Sequence, residues 1–389
     1  LLSRRQRQMC IRDRIISHQS VYATKFSYDM IYFIVLIFSV YSFSFLYVHG
    51  KKSFANYIYA SVFCIILWTI VQGGQYNVGT DYFTYLYYFD NPYSLSYFSD
   101  KGEWGFYFLI KFCHNIGVTG QGVFVVITLL ESVLFFIICI KFDKNNPEIF
   151  ILLYIVLSSL FHNQMNAVRQ SIAVYFVTLS ILYLIDKRWK EFVLLIVIAF
   201  TFHNSVLLFI LLLPSFFLIW KQYKSSTYLL LLILSSVFIF LPVENLVREL
   251  TLLLPNYSHY AESEYLAEVP FLGKITKVFL LPIYLYSLVV LKSNFLSTRE
   301  YRLFVVGIIA YSLKNICLVS SVTNRIGFYF MLLSIFPIYY LLRYLQKTRQ
   351  TKKVYLVYCI LILSYCVKVL LFPKGEYSYN SIYNFIYSL

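Results

Sequence analysis

The sequence has few charged residues for its length. Only 13% of the 389 residues are Asp, Glu, Lys or Arg, about half the share in a typical soluble domain. Apolar residues make up 60% of the chain, and the mean hydropathy is +0.69. A soluble protein of this size needs a far more polar surface. The composition therefore excludes a soluble globular enzyme and predicts one polytopic membrane domain.

Acidic residues are scarcer still, with 18 Asp and Glu against 33 Lys and Arg and a net charge of +15. In a soluble protein such an excess would suggest nucleic-acid binding. In a membrane protein, basic residues collect in cytoplasmic loops and set the orientation of the chain. We therefore attribute the excess to topology and expect no nucleic-acid partner.

Paired cysteine motifs are also missing. None of the seven cysteines forms a CxxC pair, and most lie within apolar runs. This pattern indicates lipid-facing or core residues, and it argues against a disulfide framework or a metal site.

Residues 1–29 do not match the rest of the chain. Leu1–Arg14 is rich in Arg, whereas the body prefers Lys, and it lacks the long apolar region and the small-residue cleavage site of a signal peptide. A clean hydrophobic run begins at Met30. We expect Met30 to be the natural start and residues 1–29 to be a spurious or disordered leader. The alternative is a basic cytosolic arm.

Long apolar runs dominate the remainder, and about 20 apolar residues cross a bilayer as a helix. The predicted fold is an all-α polytopic integral membrane protein with about twelve transmembrane helices in residues 30–372 and a C-terminal tail at 373–389. The candidate spans are 30–48, 54–72, 121–140, 148–163, 168–185, 190–202, 205–220, 227–243, 273–291, 302–320, 326–342 and 353–372.

The orientation follows from the loops. Short basic loops at 51–52, 141–144, 187–190, 221–224, 292–302 and 343–353 are assigned to the cytoplasm. Two long acidic loops, 73–104 and 244–272, are then external. The run 190–220 has basic loops at both ends, so it must fold as a hairpin that turns near residues 202–205. Residues 105–117 have external flanks and are expected to be re-entrant or interfacial.

Conspicuous polar residues converge on the external side of this topology. Chance scatter would divide them between the two faces. Five distant segments contribute: Gly79–Tyr82, Glu103–Phe106, Asn163–Arg169, His203 and Asn324–Arg325.

Each of these residues has a structural alternative to a functional role. Asp81 is also placed to cap a helix, Glu103 to be a solvated loop acid, and His203 to be a core histidine. Arg169 and Arg325 lie at the outer ends of spans, where Arg is disfavoured. They require either a buried carboxylate partner or an anionic ligand.

The residue types suit one chemistry. Arg offers phosphate a planar fork of two donors at fixed charge, and a carboxylate or His near a sugar hydroxyl can act as general base. A lipid-linked sugar pyrophosphate entering from the bilayer would meet such groups in an outer pocket.

Five motifs in this order resemble the EpsG family of bacterial exopolysaccharide polymerases, which is related to the Wzy polymerases of O-antigen and capsule. The resemblance extends from about residue 30 to about residue 345. The motifs are GTDYFTYLYYF (79–89), EWGF (103–106), NAVRQSIA (166–173), FHNS (202–205) and NRIGFYF (324–330).

The resemblance implies polymerisation of repeat units carried on polyprenyl pyrophosphate, at the external face of a bacterial plasma membrane. Arg169 and Arg325 would bind pyrophosphate, while His203, Asp81 or Glu103 would activate the acceptor hydroxyl or orient the donor. Neighbouring motif residues would also contact the substrate. These further candidates are Asn166, Gln170, Tyr82 and Asn324.

The resemblance also limits what else is expected. No nucleotide sugar is needed and no DxD metal site is evident, so neither a metal nor a cofactor is expected. A separate chain-length regulator is an expected protein partner. The family often has Arg shortly before the GTDY motif, but this chain has Gln75 there, which removes one candidate phosphate ligand.

Two other classes remain as alternatives. A lipid-linked oligosaccharide flippase would place decisive polar residues near the midplane, and only Glu131, in the middle of a span, favours it. Pairing within the bundle explains Glu131 equally well. A membrane O-acyltransferase would need a deep catalytic histidine, for which His203 is the only candidate.

Overall fold

The structure, a computed structural model, describes residues 30–50, 52–220, 224–241, 278–291, 295–371 and 375–383, with a few isolated positions between 245 and 275. The predicted leader at 1–29 lies outside the described residues. So does nearly all of the predicted second external loop at 244–272.

The described part of the chain is helical, and it contains no β-strand beyond a single bridge between Gln75 and Ser381. The first half comprises α1 (Ile31–Phe43), α2 (Phe54–Gly73), α3 (Tyr82–Asp90), α4 (Ser96–Asp100), α5 (Trp104–Asn115), α6 (Gln121–Asp143), α7 (Pro147–Val156), α8 (Leu160–Asn163) and α9 (Val168–Ile185). The second half comprises α10 (Trp189–Phe202), α11 (Val206–Leu212), α12 (Pro214–Phe217), α13 (Ser225–Phe238), α14 (Leu281–Val290), α15 (Thr298–Cys317), α16 (Ser321–Gly327), α17 (Phe336–Lys347) and α18 (Thr351–Cys366).

Local sequence explains where several of these helices begin. The Ser53 side chain accepts a hydrogen bond from the backbone of Asn56 at the start of α2. A capping box between Ser297 and Glu300 starts α15, and Pro147 occupies the first turn of α7. These residues satisfy or remove N–H groups that the first turn of a helix leaves without partners.

Within the described residues, five helices are long and apolar enough to cross a membrane: Ile31–Val48, Phe54–Gly73, Gln121–Asp143, Val168–Ile185 and Thr351–Leu371. A bent pair, Thr323–Phe330 and Leu333–Lys347, makes six if it is counted as one span. The five coincide with predicted spans and indicate a polytopic membrane protein. Several other predicted spans correspond to shorter helices.

Two predicted spans are interrupted. Within the span predicted at 148–163, α7 ends at Val156, and Ser159 then adopts a left-handed conformation with φ of 64°. The Ser158 hydroxyl then accepts a hydrogen bond from the backbone of Leu160, where α8 begins. The span predicted at 326–342 contains the 55° bend between its two helices.

The other unusual predictions concern residues 190–220 and 105–117. Helix α10 ends at Phe202 and α11 begins at Val206, so the helix breaks where the hairpin turn was predicted. Residues 105–117 form most of one unbroken helix, α5, which has 12 residues. Its length of roughly 18 Å is too short to cross a hydrocarbon core of about 30 Å.

Basic loops meet at one end of the helical bundle. Asp186 accepts hydrogen bonds from Lys141 at 2.7 Å and from Arg299 at 2.8 Å, and Arg343 contacts both Asp143 and Glu300. These ion pairs join the ends of α6, α9, α15 and α17. Three of the predicted cytoplasmic loops, at 141–144, 292–302 and 343–353, therefore lie on one face, together with Asp186 beside the loop at 187–190.

Helix α9 is the centre of the bundle and connects this basic end to the other end. Of its residues 83% are buried, against 28% in the most apolar 18-residue stretch of Thr351–Leu371, and α9 packs against α6 and α10. Arg169 lies in its first turn, and Asp186 follows its last residue. An 18-residue helix is roughly 27 Å long, so these two residues mark opposite ends of the bundle.

Candidate functional site

Asn166 holds the GTD segment against the start of α9. Its Oδ1 atom accepts hydrogen bonds from the backbone N–H groups of Thr80 at 2.9 Å and Asp81 at 3.0 Å. The Thr80 hydroxyl lies 3.1 Å from Oδ1 of Asp81, to which it donates. Gly79 has φ of +75°, and a Cβ atom there would lie 2.5 Å from the Asn166 side chain. The motif therefore requires glycine beside Asn166.

Arg169 is held between a carboxylate and aromatic rings. Its Nη1 donates to Oε2 of Glu103, and its Nε donates to the Tyr85 hydroxyl at 3.1 Å. The guanidinium also lies 5.2 Å from the centre of the Phe98 ring. Within the described residues, Nη2 has no hydrogen-bond partner. One edge of the Arg169 guanidinium therefore remains available to an anion.

Glu103 connects Arg169 to the hairpin turn between α10 and α11. Its second oxygen, Oε1, accepts a hydrogen bond from the backbone of Asn204 at 3.4 Å. The Asn204 carboxamide in turn donates to the carbonyl oxygen of Lys101. Only 3% of the Glu103 side chain is exposed. The structural alternative for this residue, a solvated loop acid, is therefore wrong.

His203 occupies that turn and has an ordered partner on one nitrogen. Its Nδ1 accepts a hydrogen bond from the backbone N–H of Ser205 at 3.1 Å, and the Ser205 hydroxyl lies 2.7 Å from the same atom. The Ser205 hydroxyl is also 2.8 Å from the Tyr329 hydroxyl, at the end of the NRIGFYF motif. The FHNS and NRIGFYF motifs are thereby in direct contact.

Burial, assisted by nearby positive charges, favours the neutral form of the His203 imidazole. Burial of the ring lowers its pKa well below the ordinary value of 6.5, and the positive charges of Arg169, Arg325 and Lys101 lower it further. All three cations are therefore close enough to act on the same ring.

Gln170 connects α9 to the Arg325 segment. Its side-chain N–H donates to the backbone carbonyl of Arg325 in α16, and Gln170 is 4% exposed. Asn324 and Arg325 are themselves half-buried. Helix α16 begins with a capping box between Ser320 and Thr323, which orders this short segment.

The structure does not bring Tyr82 to this cluster. Its hydroxyl donates to Oε1 of Gln121 at 2.7 Å, and its ring stacks on Phe124 at 5.2 Å. Tyr82 is 2% exposed. These contacts pack α3 against α6, so they give Tyr82 a structural role.

Glu131 lies deep in α6, where its Oε1 accepts a hydrogen bond from the Ser171 hydroxyl of α9. Both residues are 1% exposed. This contact supports pairing within the bundle, which was one of the two interpretations of Glu131. Gln75 is also buried and lines one small cavity with Glu131.

Sequence reasoning missed the contribution of the C-terminal segment, which was expected to be a tail. The backbone N–H of Tyr76 donates to the carbonyl of Asn380, and that of Ile382 donates to the carbonyl of Gly74, both at 2.9 Å. The Tyr379 hydroxyl donates to the carbonyl of Val71 at 2.7 Å. This segment therefore supports the chain just before the GTD segment. No local pattern indicates such a pairing.

The structure thus joins Asp81, Asn166, Arg169, Glu103 and His203 through direct contacts or one intervening residue, at the bundle end opposite the basic loops. Arg325 acts on His203 through its charge and meets Gln170 through its backbone. Ser205, Tyr329 and Lys101 are additions that were not singled out from the sequence. The FHNS and NRIGFYF motifs contain the first two, so the motif boundaries were the available signal.

Comparison with known proteins supports the resemblance drawn from the five motifs. No curated protein and no solved structure matches the chain. The EpsG family model matches residues 57–386, which is most of the chain and includes all five motifs. The chain therefore belongs to the EpsG family, and this membership indicates a membrane protein of the polysaccharide-polymerase type.

Proposed function

We propose that this protein polymerises oligosaccharide repeat units carried on polyprenyl pyrophosphate, producing exopolysaccharide, capsule or O-antigen. The observation that carries the proposal is the convergence of the five family motifs around Arg169. Its guanidinium keeps one edge free of partners among the described residues, with Arg325 and His203 nearby. Two guanidinium groups and a neutral imidazole suit a pyrophosphate.

Each side chain of the cluster has a role in the proposed reaction. The growing glycan leaves its carrier when an acceptor hydroxyl on the new lipid-linked unit attacks the anomeric carbon. The bond from that carbon to the pyrophosphate oxygen breaks, and the lipid pyrophosphate departs. Arg169 and Arg325 neutralise the charge that develops on the leaving group. Asp81, Glu103 or His203 activates or orients the reacting hydroxyl, and Asn166, Gln170 and Asn324 position the segments that carry them.

The proposal includes the topology. The chain crosses a bacterial plasma membrane about twelve times, with the shorter helices completing the bundle, α5 re-entrant or interfacial, and the Arg169 cluster on the external face. The clustering of basic loops at the opposite end supports this orientation through the positive-inside rule. A chain-length regulator is a proposed protein partner.

Reconstitution in proteoliposomes with a lipid-linked repeat unit tests the proposal. A ladder of longer glycans on a gel is the expected product, and Arg169→Ala should abolish it at an unchanged protein level. Movement of repeat units between leaflets without a ladder would instead favour a flippase. Transfer of an acyl group to the glycan would favour an O-acyltransferase. Either result would overturn the polymerase assignment.

A further inference from the structure

The hydrogen bonds around His203 decide which ring nitrogen carries its proton. A backbone N–H can only donate, so the Ser205 N–H, 3.1 Å from Nδ1, requires a lone pair on that atom. A proton on Nδ1 would point at this N–H. The single proton of a neutral imidazole must therefore lie on Nε2.

The Ser205 hydroxyl agrees with this assignment. With Nδ1 as an acceptor, the hydroxyl 2.7 Å away donates its proton to Nδ1. Its oxygen then accepts the proton of the Tyr329 hydroxyl, at 2.8 Å. The relay runs in one direction, from Tyr329 through Ser205 to Nδ1. Tyr329 is fully buried, so this relay holds the ring in one orientation.

The opposite nitrogen is free for a ligand. Within the described residues, Nε2 of His203 has no hydrogen-bond partner, and the side chain is half-buried rather than sealed. The cations Arg169 and Arg325 act on the same ring. The Nε2–H group of His203 is therefore a hydrogen-bond donor near two cations, Arg169 and Arg325, that attract an anion.

We infer that His203 serves the reaction as a neutral donor, giving a hydrogen bond from Nε2 to an oxygen of the lipid pyrophosphate, and that it is not the general base. This inference rests on the proposed function. Ser205 and Tyr329 are positioning residues that hold the tautomer and the ring orientation. In the sequence motifs alone, His203 was a candidate for the base on equal terms with the two carboxylates.

The chemical step balances without a proton transfer to His203. The acceptor oxygen bonds to the anomeric carbon as the bond from that carbon to the pyrophosphate oxygen breaks. The hydroxyl proton passes to a carboxylate, Asp81 or Glu103, and the electron pair of the broken bond remains on the pyrophosphate. Negative charge grows on the oxygen that faces Nε2. The hydrogen bond from His203 is therefore stronger in the transition state than in the bound substrate.

The tautomer can be measured directly by ¹⁵N NMR on full-length protein labelled at histidine, in detergent at about pH 8, where an ordinary histidine is neutral. The His203 signals are assigned by their loss in His203→Gln. We expect a protonated Nε2 and an unprotonated Nδ1. His49 is an internal reference of the opposite kind, because its Nδ1 lies 2.7 Å from the carbonyl oxygen of Ser44 and must donate to it. A protonated Nδ1 on His203 would overturn the inference.

Chain extension provides the second test, because Gln places an N–H group near the position of Nε2 but cannot act as a base. If His203 is a donor, His203→Gln should extend glycans at least about tenfold faster than His203→Ala, which loses about 10²–10³-fold. If His203 is the base, both variants should lose activity equally, by about 10²–10⁴-fold. Equal losses in two folded variants would contradict the inference.

Tyr329→Phe tests the relay. Removal of the hydroxyl should shift the Nδ1 resonance of His203 and slow extension, whereas Tyr93→Phe, at a residue that is 99% exposed, should change neither. An unchanged Nδ1 resonance would remove Tyr329 from the positioning role. A wild-type protein that makes no ladder yet shows a protonated Nε2 would instead refute the proposed function and leave the tautomer established.

Discussion

Arg169 and Glu103 lie 66 residues apart in the chain, and their side chains form an ion pair at the start of α9. The carboxylate is 3% exposed and the guanidinium 18% exposed. Pairing with a carboxylate and binding of an anion were two separate explanations for an Arg on the external side. The geometry allows both at once, because Glu103 occupies Nη1 and leaves Nη2 without a partner among the described residues.

Variants of this pair separate its structural role from the proposed catalytic role. Arg169→Ala should abolish chain extension and destabilise the protein by roughly 3 kcal/mol, because Glu103 is left buried and unpaired. Arg169→Lys should rescue poorly, since Lys lacks the bidentate fork. Glycan ladders and thermal unfolding in detergent measure the two effects.

The double variant Arg169→Gln/Glu103→Gln is the matched control for that experiment. It removes both charges together, so it should recover most of the lost stability. Extension should remain absent. Wild-type ladders from the double variant would remove Arg169 from the substrate site.

Two glycines with the same backbone conformation provide a matched comparison. Gly79 and Gly102 both have φ of +75°, but a Cβ atom on Gly79 would lie 2.5 Å from Asn166, whereas one on Gly102 meets nothing within 4 Å. Gly102→Ala should cost about 1 kcal/mol for the left-handed conformation. Gly79→Ala should cost more and should also impair extension, because the GTD segment must move. Equal losses of stability and activity would contradict the proposed close approach.

The side-chain oxygen of Asn166 should contribute more to stability and to chain extension than its side-chain NH₂ group. Asn166→Ala leaves the backbone N–H groups of Thr80 and Asp81 without their partner, which should cost about 1–3 kcal/mol and slow chain extension. Asn166→Asp retains an acceptor in the same place and should preserve more of both properties. Denaturation curves and extension rates of the two variants provide the comparison. An Asp variant as impaired as the Ala variant would argue against the acceptor role.

The pH dependence of stability should include a contribution from His203. Burial and the neighbouring cations hold its pKa well below 6.5 in the folded protein. Below about pH 6.5 the unfolded chain binds a proton at this position that the folded chain does not. The folded state therefore loses stability as the pH falls from about 6.5 towards the folded pKa, by at most about 1.4 kcal/mol per pH unit.

Removal of the imidazole should remove that contribution. The stability difference between wild type and His203→Gln should therefore shrink, or reverse, between about pH 7.5 and pH 5.5. His49→Gln, which removes a histidine at an exposed position, is the control variant. Thermal unfolding across this range measures the difference, and parallel curves for wild type and His203→Gln would contradict the prediction.

The sequence by itself determined the membrane class, the positions of the five long spans, the turn between α10 and α11, and the family. These features depend on local quantities: apolar runs of about 20 residues, the segregation of basic loops, and short motifs in a fixed order. The break between α7 and α8 could not be read in the same way. Leu157 and Leu160 on either side of Ser158 and Ser159 continue the apolar run, and the break includes a left-handed backbone conformation at Ser159.

Only the tertiary structure decided the partners of the site residues. Arg169 meets Glu103 from 66 residues earlier, and Ser205 meets Tyr329 from 124 residues later. The C-terminal segment reaches back to Gly74, more than 300 residues away. No local pattern encodes these separations, because they arise from the packing of helices around α9. That packing buries Glu103, brings Tyr329 to the Ser205 hydroxyl beside His203, and leaves one edge of Arg169 without a partner among the described residues.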